Sequence, residues 1–240
     1  MVLCSKPAYL TVIRQARKTA PSALFFLSLV LALAPLANAK SLTNEKSAVV
    51  DFQPQDTTLH SLMTLAASAK VPMGIIEDDT VLRKTKPRSR IWGNSVATVL
   101  DQLLLDTPGY FWSLSLDGSG VIEIRSRRKS RTSMIILNTI IDRFRPPYTT
   151  SAGLYGWLWI SVLAIHVPDM GVAGENLSST FEPRYDLSLD HSSVEHILNV
   201  IATSTKATWI LKPVPEKAPW RCGAPPFYGE PWVPIMPPNP

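Results

Sequence analysis

Apolar positions along this chain alternate between extended and helical spacing, in an order that is run through twice. Ala48, Val49, Val50 and Phe52 make a short apolar run fit for a strand, and residues 53–56 turn the chain. Thr57 or Thr58 supplies an N-cap, after which Leu59, Leu62, Met63, Leu65 and Ala66 recur at helical spacing. Pro72 stops that helix, and residues 73–76 read as a short strand ending in an exposed acidic turn of Glu77, Asp78 and Asp79. A basic, polar stretch follows (Arg83, Lys84, Lys86, Arg88, Arg90), with strand character at Ile91 and Trp92. Asn94 or Ser95 caps a second helix whose face carries Val96, Val99, Leu100, Leu103 and Leu104, and Pro108-Gly109 ends it. Residues 110–116 and 121–124 are strands joined by Asp117-Gly118-Ser119-Gly120, a hairpin turn in which glycine supplies the positive φ.

Residues 125–131 form a basic linker, and the order then repeats. Residues 134–137 and 139–141 read as an extended strand, and Pro146-Pro147 turns the chain. Residues 150–165 form a strongly apolar helix with Leu154, Trp157, Leu158, Trp159 and Leu163. That helix is too short to span a bilayer, which takes about 20 apolar residues, so it is read as a core helix. A strand over 185–189, a helix capped by Ser192 or Ser193 with Val194, Ile197, Leu198 and Ile201, and a final strand over 207–211 complete the second half. From Pro213 proline recurs to the end among Trp220, Phe227, Tyr228 and Trp232, the composition of an extended polyproline segment that buries little.

The repeat is visible residue by residue. Phe52, Pro54, Thr57 and Thr58 fall on Phe144, Pro146, Thr149 and Thr150 without a gap. Val96, Val99, Leu100 and Leu103 fall on Val194, Ile197, Leu198 and Ile201 at one offset, and Phe111-Trp112 lands on Trp209-Ile210. The second copy carries an insertion around residues 173–184, and the proline-rich tail replaces its closing hairpin. The expected architecture is α+β, with two small two-layer modules, each with two helices on a small mixed sheet. The expected boundaries are 48–126 for the first module, 127–133 for the basic linker, 134–212 for the diverged second module and 213–240 for the tail.

The N-terminal 39 residues change the reading of composition. Lys6, Arg14, Arg17 and Lys18 precede an apolar run over 22–34, Pro35 breaks it, and Ala37-Asn38-Ala39 offers small residues to a signal peptidase. Residues 1–39 are therefore read as a cleavable secretory signal, the alternative being an uncleaved anchor. The chain's formal charge of +5 comes mostly from that signal, because four of 24 basic residues and none of 19 acidic ones lie in it. The remainder is close to neutral, which argues against nucleic acid as a partner. Of the two cysteines, Cys4 leaves with the signal and Cys222 stays alone, so no internal disulfide forms.

The first copy, on the strand ending Phe52 to Pro54, the Leu59 to Leu62 helix core, Ser95-Val96 to Leu104, the aromatic strand from Tyr110 and the closing strand Val121 to Ile124, resembles the secretin and TonB short N-terminal domain. The resemblance covers the second copy loosely. It implies a periplasmic, non-enzymatic module that binds envelope proteins, with no cofactor, metal or catalytic residue to carry over. No secretin, plug or barrel segment follows here, so pore or receptor activity is not implied.

The residues themselves offer little chemistry. His60, His166, His191 and His196 are the only histidines, and the last two stand five apart, on different helix faces, unsuited to a shared zinc ion. Glu77, Asp78 and Asp79 lack calcium-loop spacing. Two rival readings remain: a secreted hydrolase, for which Asp186, Asp190 or His191 would have to converge in a cleft, and a cell-wall or polysaccharide binder using the aromatic tail.

Overall fold

The computed structural model describes residues 50–88, 90–93, 95–128, 130–167, 183–214 and 225–231. Residues 1–39, read above as an export signal, lie outside the described residues, as do Cys222, Trp220, Trp232 and most of the insertion in the second half.

The first half follows its pattern closely. Strand β1 (Val50–Phe52) leads to α1 (Thr58–Ala69), where Thr57 Oγ1 accepts from the His60 N–H and the left-handed Lys70 caps the far end. Strand β2 (Met73–Ile76) follows, then a single turn α2 (Val81–Lys84) and strand β3 (Ile91–Gly93). Helix α3 (Val96–Leu105) is capped by the Ser95 hydroxyl, which accepts from the Thr98 N–H. Strands β4 (Tyr110–Leu114) and β5 (Ile122–Ser126) close it as an antiparallel hairpin in the expected register, Trp112 opposite Ile124.

The second half departs from its pattern at four places. Residues 134–137, expected to be extended, belong to helix α4 (Arg131–Asn138). Ser130 accepts from the Ser133 N–H to start it, and Thr132, Ser133, Ile136 and Leu137 bury one helical stripe. Four consecutive apolar residues carry no periodicity that separates helix from strand, so the cap decides. The basic run is accordingly not an open linker: Arg125 and Ser126 end β5, and Arg131 begins α4. Strand β6 (Ile140–Phe144), the two-residue β7 (Thr149–Thr150) and α5 (Ser151–His166) come next. The expected strand over 185–189 is split into β8 (Arg184–Tyr185) and β9 (Leu189–Ser193), which shifts strand pairing toward the Ser193 cap of α6 (Val194–Thr205). Strand β10 (Ala207–Leu211) is not the last: β11 (Phe227–Pro231) forms inside the proline-rich tail, with Phe227 fully buried. Proline lacks a ladder donor, so a strand flanked by Pro226 and ending in Pro231 is restricted to a sheet edge, which is where β11 lies.

The fold is mixed α+β, but the halves do not carry separate main sheets. They share one five-stranded sheet in the order β11-β10-β2-β5-β4, with β10 running parallel to β2 and β2 parallel to β5. Two of its three interior strands are buried at every position, four of four in β2 and five of five in β10. Side chains alternate across a strand, so complete burial requires cover on both faces. One face sends Met73, Ile75, Ile122, Ile124 and Ile210 into a core with Leu62 and Leu65 of α1 and Leu100 and Leu103 of α3. The other sends Ile76, Trp209, Leu211 and Phe227 into a core with Leu154 and Leu158 of α5 and Ile197, Leu198 and Ile201 of α6. Each half thus puts its helices on its own face of a common sheet. Two-stranded ribbons flank the sheet: β1–β3 adds Phe52 and Ile91 to the first core, and β6–β9 adds Ile141 and Phe144 to the second. Among the described residues, no helix is long and apolar enough to cross a membrane.

Trp209 sits at the seam. Its cross-strand neighbours are Gly74 on β2 and Gly229 on β11. A Cβ on Gly74 would lie 2.4 Å from the Trp209 ring, and one on Gly229 would lie 2.4 Å from the Tyr155 ring of α5. Two glycines therefore make room for two aromatic rings on the face covered by the second half.

Candidate functional site

The shared sheet brings polar residues of both halves together. On β5, Glu123 and Arg125 stand two apart and point to one face, between the apolar Ile122 and Ile124 that point to the other. That face is covered by α6, whose Glu195, His196 and Asn199 lie within one turn of each other on its N-terminal part. The β4–β5 turn adds Ser115 and Asp117, and its Gly118 and Gly120 take φ of 76° and 73°.

The contacts form one connected network. Arg125 Nη2 donates to Glu123 Oε2 at 2.6 Å and also contacts Glu195 Oε1, so two carboxylates converge on one guanidinium nitrogen. Asn199 Nδ2 donates to Ser115 Oγ (2.9 Å), Asp117 Oδ2 (3.1 Å) and Glu123 Oε1 (3.2 Å). Its Oδ1 accepts from the Trp209 indole N–H at 2.8 Å. His196 Nδ1 lies 2.8 Å from Asp117 Oδ2, and Asp117 Oδ1 accepts from the Ser115 hydroxyl and the Ser119 N–H. Asn199 is fully buried and Glu123 is 2% exposed, so each polar atom needs the partner it has.

The electrostatics follow from three carboxylates around one arginine. Burial, together with the hydrogen bond and charge of Glu123, pushes the Glu195 carboxyl up to about 7. Burial also opposes the charge on Asp117, but hydrogen bonds from Ser115, Ser119 and His196 outweigh it and hold that carboxyl well below the usual range. A recess lined by Ile76, Asp78, Arg125, Ser126, Ser130, Ser133 and Met134 adjoins the cluster, with about 10 Å³ of open space, enough for one water. Burial raises the Asp78 carboxyl there. The arrangement can bind and release a proton, and it ties the halves together.

The residues singled out from sequence go elsewhere. Glu77 is not exposed: it is completely buried and accepts three hydrogen bonds from Arg83, at 2.9 and 3.2 Å from Nε and 2.6 Å from Nη2, while Asp79 at the end of the turn is exposed. Glu77 follows β2 and its N–H donates to the Leu211 carbonyl, so the ladder carries it into the core and the cation on α2 neutralises it. Asp186 is exposed, Asp190 pairs with Arg145 at 3.1 Å, and His191 lies 3.3 Å from Asp142 in a solvated pair. These three do not converge. His60 pairs with Asp56 on the surface, His166 meets Thr139 at 2.8 Å, and only His196 joins the cluster. Glu123, Arg125, Glu195 and Asn199 were not singled out from sequence. The signal available was the apolar character of 73–76 and, but for Thr208, of 207–211, which implies a sheet covered on both faces and hence a covered Glu123 and Arg125.

Among the described residues, no group of three or more His, Cys, Asp or Glu side chains is arranged to hold a metal ion. Comparison of the chain with protein-family models, with curated proteins and with solved structures finds no match.

Proposed function

We propose that the protein is exported to the periplasm and works there as a non-enzymatic interaction protein of two tandem modules, each resembling the secretin and TonB short N-terminal domain, within an envelope secretion or transport assembly. The observation that carries this reading is the like build of the two halves. Each has a two-stranded ribbon, β1–β3 or β6–β9, framing a helix, and a second helix running into an antiparallel strand pair, β4–β5 or β10–β11. Each second helix also accepts an indole N–H from the strand that follows: Asp101 from Trp112 at 2.7 Å, and Asn199 from Trp209 at 2.8 Å. That equivalence shifts the sequence alignment of the last strands by one residue, pairing Trp112 with Trp209. The partner is engaged through the sheet edges β4 and β11, each of which has one strand neighbour among the described residues. The proline-rich tail beyond β11 is a second contact.

A secreted hydrolase is the rival reading, favoured by Glu195, whose carboxyl keeps its proton to near neutrality as a general acid must. The test is fractionation and N-terminal sequencing, followed by photo-crosslinking in intact cells from a reactive residue replacing Ser113 on β4. The expected results are a mature chain starting at Lys40 and a crosslink to an envelope protein. A chain retained in the cytoplasm overturns export. A purified chain that hydrolyses an envelope polymer, with no crosslink from any β4 position, replaces the binding reading by the enzymatic one.

A further inference from the structure

We propose that Glu195, Glu123 and Arg125 form a proton-operated latch that fastens α6 of the second half to the β4–β5 hairpin of the first. The inference concerns the joint between the halves and holds whatever the protein binds. The geometry carries it. Glu195 and Glu123 meet at the same Arg125 nitrogen, and both side chains are largely covered, at 18% and 3% exposure. The groups facing Glu195 are Glu123 and Arg125 from β5, Asp117 from the turn and, on its own helix, His196, which is engaged with Asp117. Asp78 lies beyond Arg125 across the one-water recess and adds a further acidic group. One guanidinium balances one carboxylate, so the cluster holds together when a proton occupies Glu195 and is donated to Glu123.

Releasing that proton to water leaves Glu195, Glu123 and Asp117 ionised around a single Arg125. Like charges this close in a covered site cannot all stay ionised without relief. The relief available is separation of the first turn of α6 from the hairpin, which lets water reach the carboxylates and weakens the Asn199 hydrogen bonds to Ser115, Asp117 and Glu123. Opening therefore follows a rise in pH through neutrality, and the latch closes again on acidification. The raised Glu195 carboxyl agrees with the closed state in which it is seen.

The test uses the intact purified chain. Hydrogen exchange of residues 114–123 and of the first turn of α6 is followed from pH 5.5 to 8.5 after correction for intrinsic exchange, alongside carbon-13 titration of the Glu195 carboxyl. Wild type is expected to lose protection about tenfold across neutrality, with the Glu195 resonance titrating in the same range. Glu195→Gln, which keeps the shape and cannot ionise, is expected to stay protected throughout, while His196→Gln keeps the transition. A Glu195 resonance that titrates near the ordinary 4.5 overturns the proposal even if the variant fails to fold. So does a transition that persists in Glu195→Gln and vanishes in His196→Gln.

Discussion

Replacing Gly74 by alanine tests the seam of the molecule with a single methyl group. The added Cβ would lie 2.4 Å from Cε2 and Cζ2 of Trp209 and 2.7 Å from its Nε1, far inside contact distance. The indole is completely buried and its N–H is bound to Asn199, so it has no open side toward which to move. Overpacking a core of this kind costs about 1–3 kcal/mol. If the ring gives way, Asn199 Oδ1 loses its donor in a buried place, which costs about 1–3 kcal/mol more. A destabilisation of about 3 kcal/mol is expected, equal to a fall in melting temperature of about 6–12 °C for a chain of this length. Urea unfolding of the protein measures it. The companion is the Trp209→Ala background, itself less stable, in which Gly74→Ala should cost under about 0.5 kcal/mol because the clashing ring is gone. Equal costs in the two backgrounds, or a Gly74→Ala protein as stable as wild type, would refute the contact between β2 and β10 on which the argument rests.

Four further outcomes are expected. Gly156, inside α5, has no atom within 4 Å of the place a Cβ would occupy, so Gly156→Ala should raise stability by about 0.5–1 kcal/mol in the same urea assay. Ser193→Ala removes the side chain that accepts from the His196 N–H at 3.2 Å and should cost about 1 kcal/mol, read as reduced protection of the first turn of α6. Arg83→Ala leaves the buried Glu77 without its bidentate cation. Discounted for the partial exposure of Arg83, the loss should be about 2–3 kcal/mol, and Arg83→Lys should recover only part of it. Stability should also fall as pH rises. The Glu195 carboxyl lies at about 7 in the folded chain against an ordinary 4.5, so its contribution is complete below 4.5 and lost as pH rises through 7. At about 1.4 kcal/mol per pH unit the ceiling is about 3 kcal/mol, and the residual exposure of the side chain lowers the expected difference to about 2 kcal/mol between pH 5 and 8.5. Asp117 acts the other way and in another window: its carboxyl is held low, so its share is present above 3.8 and disappears only as pH falls further. Urea midpoints across the range separate the two limbs.

The first half was legible, apart from the single turn α2 that read only as a basic stretch, because its other elements carry their own punctuation. Thr57 and Ser95 cap, Gly118 and Gly120 turn, and the apolar spacing changes period where helix gives way to strand. The misreadings fall where the deciding signal is not local. Helix α4 hides in a short apolar run whose cap, Ser130, looked like part of a basic linker. Strand β11 hides among prolines because an edge strand tolerates them, and nothing near Phe227 in sequence shows that Leu211 lies opposite. Sharing of the sheet depends on β10 meeting β2 across about 135 residues of chain, a pairing that periodicity alone cannot assign. The carboxylate cluster inherits that difficulty. Glu123 and Arg125 read as the solvated positions of a half-buried strand until the second half is laid over them.

The central claim is that the halves form one cooperative unit through the parallel pairing of β2 with β10. Native-state hydrogen exchange of the intact chain at pH 5.5 tests it most directly. The amides of residues 73–76 and 207–211 should open with the same free energy, equal to that of global unfolding. Two separate tiers, with 207–211 exchanging while 73–76 remain protected, would contradict it.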